Sequence, residues 1–156
     1  MAERNPPQNV TPGEKQHPLR LAAAVVAAVF LLVGILGFIP GITTDFDGMT
    51  FAGHDSTAML LGLFQVSVLH NLVHLAFGVV GLILARTVSG ASAFLIGGGV
   101  IYLGLVLYGL IIGQASQANF VPLNAADNWL HLVLGVGMIG LALALRPRYA
   151  GGHTTA

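Results

Sequence analysis

The sequence predicts an all-α, polytopic membrane protein: four transmembrane helices in a bundle built from two parallel helical-hairpin repeats. Three observations lead to this prediction. Hydrophobic residues make up 55% of the 156 residues, and charged residues only 8%. The six Lys and Arg residues are confined to the stretch before residue 21, to Arg86, and to Arg146 and Arg148. A motif containing Asn and His occurs twice, 57 positions apart.

Four segments have the ~20 mostly apolar residues needed to cross a hydrocarbon core ~30 Å thick. They are residues 19–39, 66–85, 91–113 and 125–145, so the predicted transmembrane domain covers residues 19–146. Residues 1–18 are polar and rich in proline, and we predict a disordered cytoplasmic tail there. A second cytoplasmic tail is expected at residues 147–156.

The positions of the positive residues predict the orientation in the membrane. No Lys or Arg lies between Arg20 and Arg86, or between Arg86 and Arg146, and each interval is long enough to cross a bilayer twice. Because short cytoplasmic loops collect Lys and Arg, both termini and the turn at Arg86 are expected to be cytoplasmic. The expected location is therefore the cytoplasmic (inner) membrane, with the lipid bilayer as partner. The sequence offers no basic patch that would favour nucleic-acid binding.

Small residues are frequent in the first and third predicted spans, including Gly34, Gly37 and residues 97–99. Such residues allow close helix packing in lipid, and their number favours a homo-oligomer or a larger membrane complex. The outward loop at residues 41–65 begins with an acidic stretch and ends with an apolar one, residues 58–64. The apolar stretch is too short to span, so it should lie along the interface or cover the outer end of the bundle.

The second and fourth spans begin with the same motif. Residues 71–79 read Asn-Leu-Val-His-Leu-Ala-Phe-Gly-Val, and residues 128–136 read Asn-Trp-Leu-His-Leu-Val-Leu-Gly-Val. Both spans run inward, so the hairpins are predicted to be parallel repeats about an axis along the membrane normal. We expect these two spans to face one another, with His74 and His131 ~18 and ~22 Å along their helices from Arg86 and Arg146. Both histidines would then lie in the outer half of the bilayer.

The two motif regions, residues 64–74 and 121–131, resemble those of a bacterial four-span membrane-protein family known only as a domain of unknown function. The resemblance covers essentially residues 19–146, and the paired Asn-x-x-His-Leu-x-x-Gly motifs are its specific part. It implies a four-span membrane architecture. It implies no activity.

Polar side chains inside apolar segments are costly unless they have partners, so they are the candidate functional residues. They are His70, Asn71, His74, Asp127, Asn128 and His131. In a structural interpretation, the asparagines hydrogen-bond across the helix interface with histidines as partners. Ser67 and Asn124 cap their helices, and Asp127 completes a capping box. The protein is then a non-catalytic structural, accessory or binding protein rather than an enzyme.

Other interpretations assign chemistry to the histidines. His74 and His131 could supply both axial ligands of a haem b, with Gly78 and Gly135 making room for the macrocycle. A divalent metal ion could instead be chelated by His70, His74, Asp127 and His131. A further alternative is proton or small-solute transport, because neutral histidines in a membrane can relay protons.

Overall fold

The computed structural model describes residues 17–146 and is mostly helical. Its helices are α1 (Pro18–Leu36), α2 (Val68–Leu84), α3 (Val88–Ile111) and α4 (Ala125–Leu145). The first, third and fourth are long and apolar enough to cross a membrane, whereas α2 has 17 residues. The predicted tails otherwise lie outside the described residues, but His17 and Pro18, which the sequence analysis placed in the first tail, belong to the start of α1. Nδ1 of His17 accepts a hydrogen bond from the Leu19 amide at 3.2 Å and so caps the helix.

Large apolar side chains cover the outer faces of the helices, as in proteins surrounded by lipid. Leu21, Val133 and Ile111 are 68%, 67% and 81% exposed. Gly97 and Gly104 of α3 have open space where a Cβ atom would lie. The homo-oligomer or larger complex inferred from such small residues stays a prediction.

Helices α1 and α2 form one tightly packed hairpin, and α3 and α4 form the other. Between the hairpins, α1 packs most extensively against α3, and there Phe30 stacks on Tyr102 with 5.4 Å between ring centroids. The prediction that the second and fourth spans face one another is therefore wrong for the helix backbones: the close diagonal is α1 to α3. Ala23 and Ala27 are fully buried on α1, and Ala27 lies against Gly81 of α2, so small residues bring the two helices of the first hairpin close together.

The turn between α2 and α3 is short and is joined to the start of α1. Nε of Arg20 donates a hydrogen bond to the carbonyl oxygen of Ala85, the C-cap residue of α2, at 3.1 Å. Helix C-terminal carbonyls favour a positively charged partner. Thr87 begins α3, with its Oγ1 accepting a hydrogen bond from the Gly90 amide at 3.0 Å. Arg20 and Arg86 consequently lie at the same end of the bundle.

The opposite end, where α1 and α3 finish and α2 and α4 begin, is covered by residues 37–67 and 112–124, and we call it the loop end. Residues 37–67 contain a small antiparallel sheet of β1 (Thr43–Thr44), β2 (Met59–Leu60) and β3 (Phe64–Gln65), in that order. The sequence analysis predicted no strand. An apolar cluster packs the sheet region onto the end of α1; it consists of Ala58, Leu60 and Val66 with Val33 and Leu36.

Candidate functional site at the loop end

Three histidines meet at the loop end, and we call His70, His74 and His131 the histidine cluster. Their exposed fractions are 5%, 8% and 3%. His70 and His74 lie one turn apart on α2, and their rings stack with 4.6 Å between centroids. The ring of His131, from α4, lies 6.4 Å from that of His70. Helices α2 and α4, which are distant along most of their length, thus approach one another through histidine side chains.

Two aromatic rings separate the cluster from the middle of the bundle. Phe30 lies 5.8 Å from His74, and Tyr102 lies 5.0 Å from His131, measured between ring centroids. His74 and His131 therefore each pack on an aromatic ring of their own hairpin, while the two aromatic rings stack on each other. The sequence analysis did not include Tyr102 among the candidate site residues. A signal was present, because Phe30-Leu31 recurs as Tyr102-Leu103 at a shift of 72 positions.

The histidine ring nitrogens differ in their hydrogen bonding. Nδ1 of His74 lies 3.0 Å from the carbonyl oxygen of His70. A carbonyl only accepts, so Nδ1 carries the proton and Nε2 is an acceptor in the neutral ring. Nδ1 of His70 and Nδ1 of His131 are buried and have no hydrogen-bond partner within residues 17–146. Buried polar atoms in folded proteins are nearly always paired, so these two nitrogens require an explanation.

Asp127 links the two hairpins. Its Oδ2 accepts hydrogen bonds from the amide of Asn124 at 3.0 Å and from the amide of Gln65, in β3, at 3.1 Å. In return, Oδ1 of Asn124 accepts from the Asp127 amide at 2.9 Å, which completes a capping box. Nδ2 of Asn124 also donates to the carbonyl oxygen of Leu63 at 2.8 Å. The start of α4 thereby holds the sheet of the first loop in place.

The other predicted cap is Ser67, whose Oγ accepts a hydrogen bond from the His70 amide at 3.2 Å and so begins α2. This cap is local, since donor and acceptor are three residues apart. It places His70 in the first turn of the helix. Gln65 reinforces the loop, because its Nε2 donates to the carbonyl oxygens of His54 and Ser56 at 3.1 and 2.7 Å.

The two asparagines do not hydrogen-bond to the histidines, contrary to the structural interpretation of the sequence. A Cβ atom on Gly37 would lie 2.1 Å from Oδ1 of Asn71, and one on Gly109 would lie 2.0 Å from Oδ1 of Asn128. Each amide thus packs into the space left by a glycine on the neighbouring helix. Nδ2 of Asn71 contacts Sδ of Met49 at 3.9 Å, and neither Oδ1 has a hydrogen-bond partner in the described part of the chain.

Two adjoining cavities lie beside the cluster. The histidine cavity, about 200 Å³, is lined by all three histidines together with Asp127, Leu61 and Phe64 among others. The α1–α4 cavity, about 190 Å³, continues along the bundle and is lined by Val25, Val29, Phe30 and Leu134 among others. A separate cavity of about 310 Å³ lies between α3 and α4, beside Asn128 and Trp129.

The geometry gives little support to a haem or a metal at the predicted ligands. The space expected at Gly78 is filled by Leu31 and the backbone of Ala27, and that at Gly135 by Leu103 and the backbone of Gly99. These glycines serve helix packing, so the prediction that they make room for a macrocycle is wrong. The histidine cavity is smaller than the ~300 Å³ at which typical ligand pockets begin. Among residues 17–146, no three His, Asp or Glu side chains are placed to share a metal ion.

Residues 20–144 match the model of a protein family that is described as "Domain of unknown function (DUF4383)". The chain belongs to this family. DUF4383 thus spans all four helices and the loop end between them. No curated protein and no solved structure matches the chain.

Proposed function

We propose that this DUF4383 protein is a four-span protein of the cytoplasmic membrane that acts without catalysis as a binding protein, with the histidine cluster as its site. The observation that carries the proposal is the pair of buried, unpartnered Nδ1 atoms of His70 and His131 beside a cavity. A bundle needs no such atoms for stability, because each unpaired buried polar group costs about 1–3 kcal/mol. A ligand that hydrogen-bonds to them would offset that cost.

We also propose that the hairpins are parallel repeats. The contacts of two glycines support this: a Cβ on Gly78 would meet Leu31, and a Cβ on Gly135 would meet Leu103. Gly78 and Gly135 are 57 positions apart, which is the shift of the motif. Leu31 and Leu103 are 72 positions apart, and the same shift relates Gly37 to Gly109. The shifts differ by 15 because the first loop, which contains the sheet, is longer. A single sequence shift therefore detects only half of the repeat.

The distribution of charge supports cytoplasmic termini. Arg20, Arg86 and the C-cap residue of α4, Arg146, mark the ends of helices away from the loop end. The loop end carries the acidic residues Asp45, Asp47 and Asp55 instead. By the positive-inside rule, the loop end is extracytoplasmic. A helix of 17 residues, α2, can still cross, because the bilayer thins locally around a short span at modest cost.

The topology is testable directly because the chain contains no cysteine. Single cysteines at Asp55 and Gln117, in the two loops of the loop end, should react with a membrane-impermeant maleimide in intact cells. A cysteine at Ser89, in the first turn of α3 beside the connection between the hairpins, should react only after permeabilisation. Labelling of the Ser89 position in intact cells would refute the orientation.

The binding role is tested separately by His131→Phe. The phenyl ring keeps the packing against Tyr102 but removes the unpartnered nitrogen. If the histidine serves binding rather than stability, the free energy of unfolding of the variant should rise by about 1 kcal/mol. Unfolding by sodium dodecyl sulfate in mixed micelles measures this change. Val133→Phe, on the outer face of the same helix, is the control. Loss of stability in His131→Phe alone would mean that the histidine is structural.

A further inference from the structure

The histidine cavity and the α1–α4 cavity share the lining residues Val33, His74 and Leu130. They therefore adjoin, with hydrogen-bonding groups at the loop end and an apolar continuation toward the middle of the bundle. We propose that together they bind a neutral, single-chain amphiphile, with its hydroxyl or protonated carboxyl head in the histidine cavity and its alkyl chain in the α1–α4 cavity. This inference rests on the proposed binding role of the histidine cluster and names its ligand class.

The head group must be uncharged. No Lys or Arg lines either cavity, so an anionic phosphate or sulfonate would have no counter-charge in a low-dielectric setting. The one acidic lining residue is Asp127, and its Oδ2 already accepts hydrogen bonds from the backbone amides of Asn124 and Gln65. An ammonium head would have to lose its hydration beside this single carboxylate, which is already engaged at the start of α4. A neutral polar head has no such conflict.

The head group must also donate a hydrogen bond. His74 lines both cavities, and its Nδ1 is committed to the carbonyl oxygen of His70, which leaves Nε2 as an acceptor in the neutral ring. His70 and His131 each offer an unpartnered Nδ1, which donates or accepts according to tautomer. A hydroxyl or a protonated carboxyl both donates and accepts, so it can satisfy His74 and one further histidine at once.

The remainder of the ligand must be a single apolar chain. From Val33 to Val25 the α1–α4 cavity follows α1 for eight residues, or ~12 Å at 1.5 Å per residue. Val25 and Val29 are 55% and 46% exposed, so this cavity opens on the outer face of the bundle, where lipid chains lie. A ligand can therefore enter sideways from the bilayer. The cavity, about 190 Å³, has room for the first part of one alkyl chain but not for a second chain beside it, and the rest of a longer chain lies in the bilayer.

The experiment is photolabelling of the purified full chain in nanodiscs with hexadecanol carrying a mid-chain diazirine. Its methyl ether, which cannot donate a hydrogen bond, is the matched probe, and unlabelled hexadecanol and hexadecanoic acid at acidic pH are the competitors. Labelled peptides are identified by mass spectrometry. We expect the alcohol to label α1 and α4 and the ether to label them about five-fold less, the equivalent of one hydrogen bond.

Two substitutions locate the site. Val29→Trp should fill the α1–α4 cavity and abolish specific labelling. Ile101→Trp is its control, because Ile101 is 53% exposed on α3 and lines neither cavity. His131→Phe should weaken competition by unlabelled hexadecanol about five-fold. Competition by the alcohol alone identifies a hydroxyl ligand, and equal competition by the acid extends the class to protonated fatty acids.

Equal labelling by the alcohol and the ether would overturn the proposal, as would labelling that Val29→Trp leaves unchanged. These results are independent of the test of the proposed function. If His131→Phe stabilises the protein but no amphiphile labels it, the cluster binds a ligand of another class. If His131→Phe destabilises the protein, the binding role itself fails.

Discussion

Replacement of Asp127 by alanine should destabilise the protein by weakening the attachment of the first loop to the start of α4. The carboxyl group is 2% exposed, and its Oδ2 accepts hydrogen bonds from two backbone amides that belong to different hairpins. Alanine removes both bonds and leaves the amides of Asn124 and Gln65 without an acceptor. It also removes half of the capping box that begins α4.

The expected loss follows from these contacts. A buried donor left unsatisfied costs about 1–3 kcal/mol, and both amides are partly buried rather than fully enclosed, so two of them cost about 3 kcal/mol in total. Asp127→Asn keeps an acceptor oxygen in the same place and should cost about 1 kcal/mol. Asp55→Ala is the control, since that side chain is 74% exposed and its loss should change stability by less than about 0.5 kcal/mol.

The assay is unfolding by sodium dodecyl sulfate in mixed micelles, followed by fluorescence of Trp129, the single tryptophan of the chain, and by circular dichroism. Trp129 lies two residues after Asp127 and is 69% exposed, so it reports on the start of α4. Hydrogen exchange at the Gln65 amide should accelerate in Asp127→Ala and much less in Asp127→Asn. If both variants were equally unstable, or if the Gln65 amide exchanged at the wild-type rate in Asp127→Ala, the reasoning would be refuted.

Three further predictions concern packing, backbone strain and cofactors. Gly37→Ala should destabilise the protein by about 1–3 kcal/mol, because the added Cβ would overlap Asn71, whereas Gly104→Ala should have little effect. If the overlap is the cause, adding Asn71→Ala to Gly37→Ala should restore stability. Leu61 has φ +54°, a left-handed backbone conformation that favours glycine, and its side chain is 61% exposed. Leu61→Gly should therefore raise the midpoint of thermal unfolding by relieving about 1 kcal/mol of backbone strain, and a lowered midpoint would contradict this. The purified protein should show no Soret absorption and no stoichiometric zinc, iron or copper by mass spectrometry, and a Soret band lost on substitution of the histidine cluster would restore the haem interpretation.

The sequence alone predicted the membrane character and the local structure well, because both depend on short stretches of chain. Three of the four apolar segments form helices long enough to cross a membrane. The caps Ser67 and Asn124 each bond to an amide three residues later, so a four-residue pattern is sufficient to find them. The capping role of Asp127 was predicted for the same reason. Its bond to Gln65 was not, because the partner lies 62 residues away.

The sequence alone determined the apolar helices, their caps and the clustering of positive charge, all of which follow from composition and from near neighbours in the chain. Only the tertiary structure decided that α1 and α3 share the close diagonal, that the first loop forms a sheet, and that asparagines pack against glycines rather than histidines. The physical reason is that a helix in lipid is apolar on all faces, so hydropathy does not indicate which face points inward. That choice depends on how small and large side chains fit across helices distant in sequence.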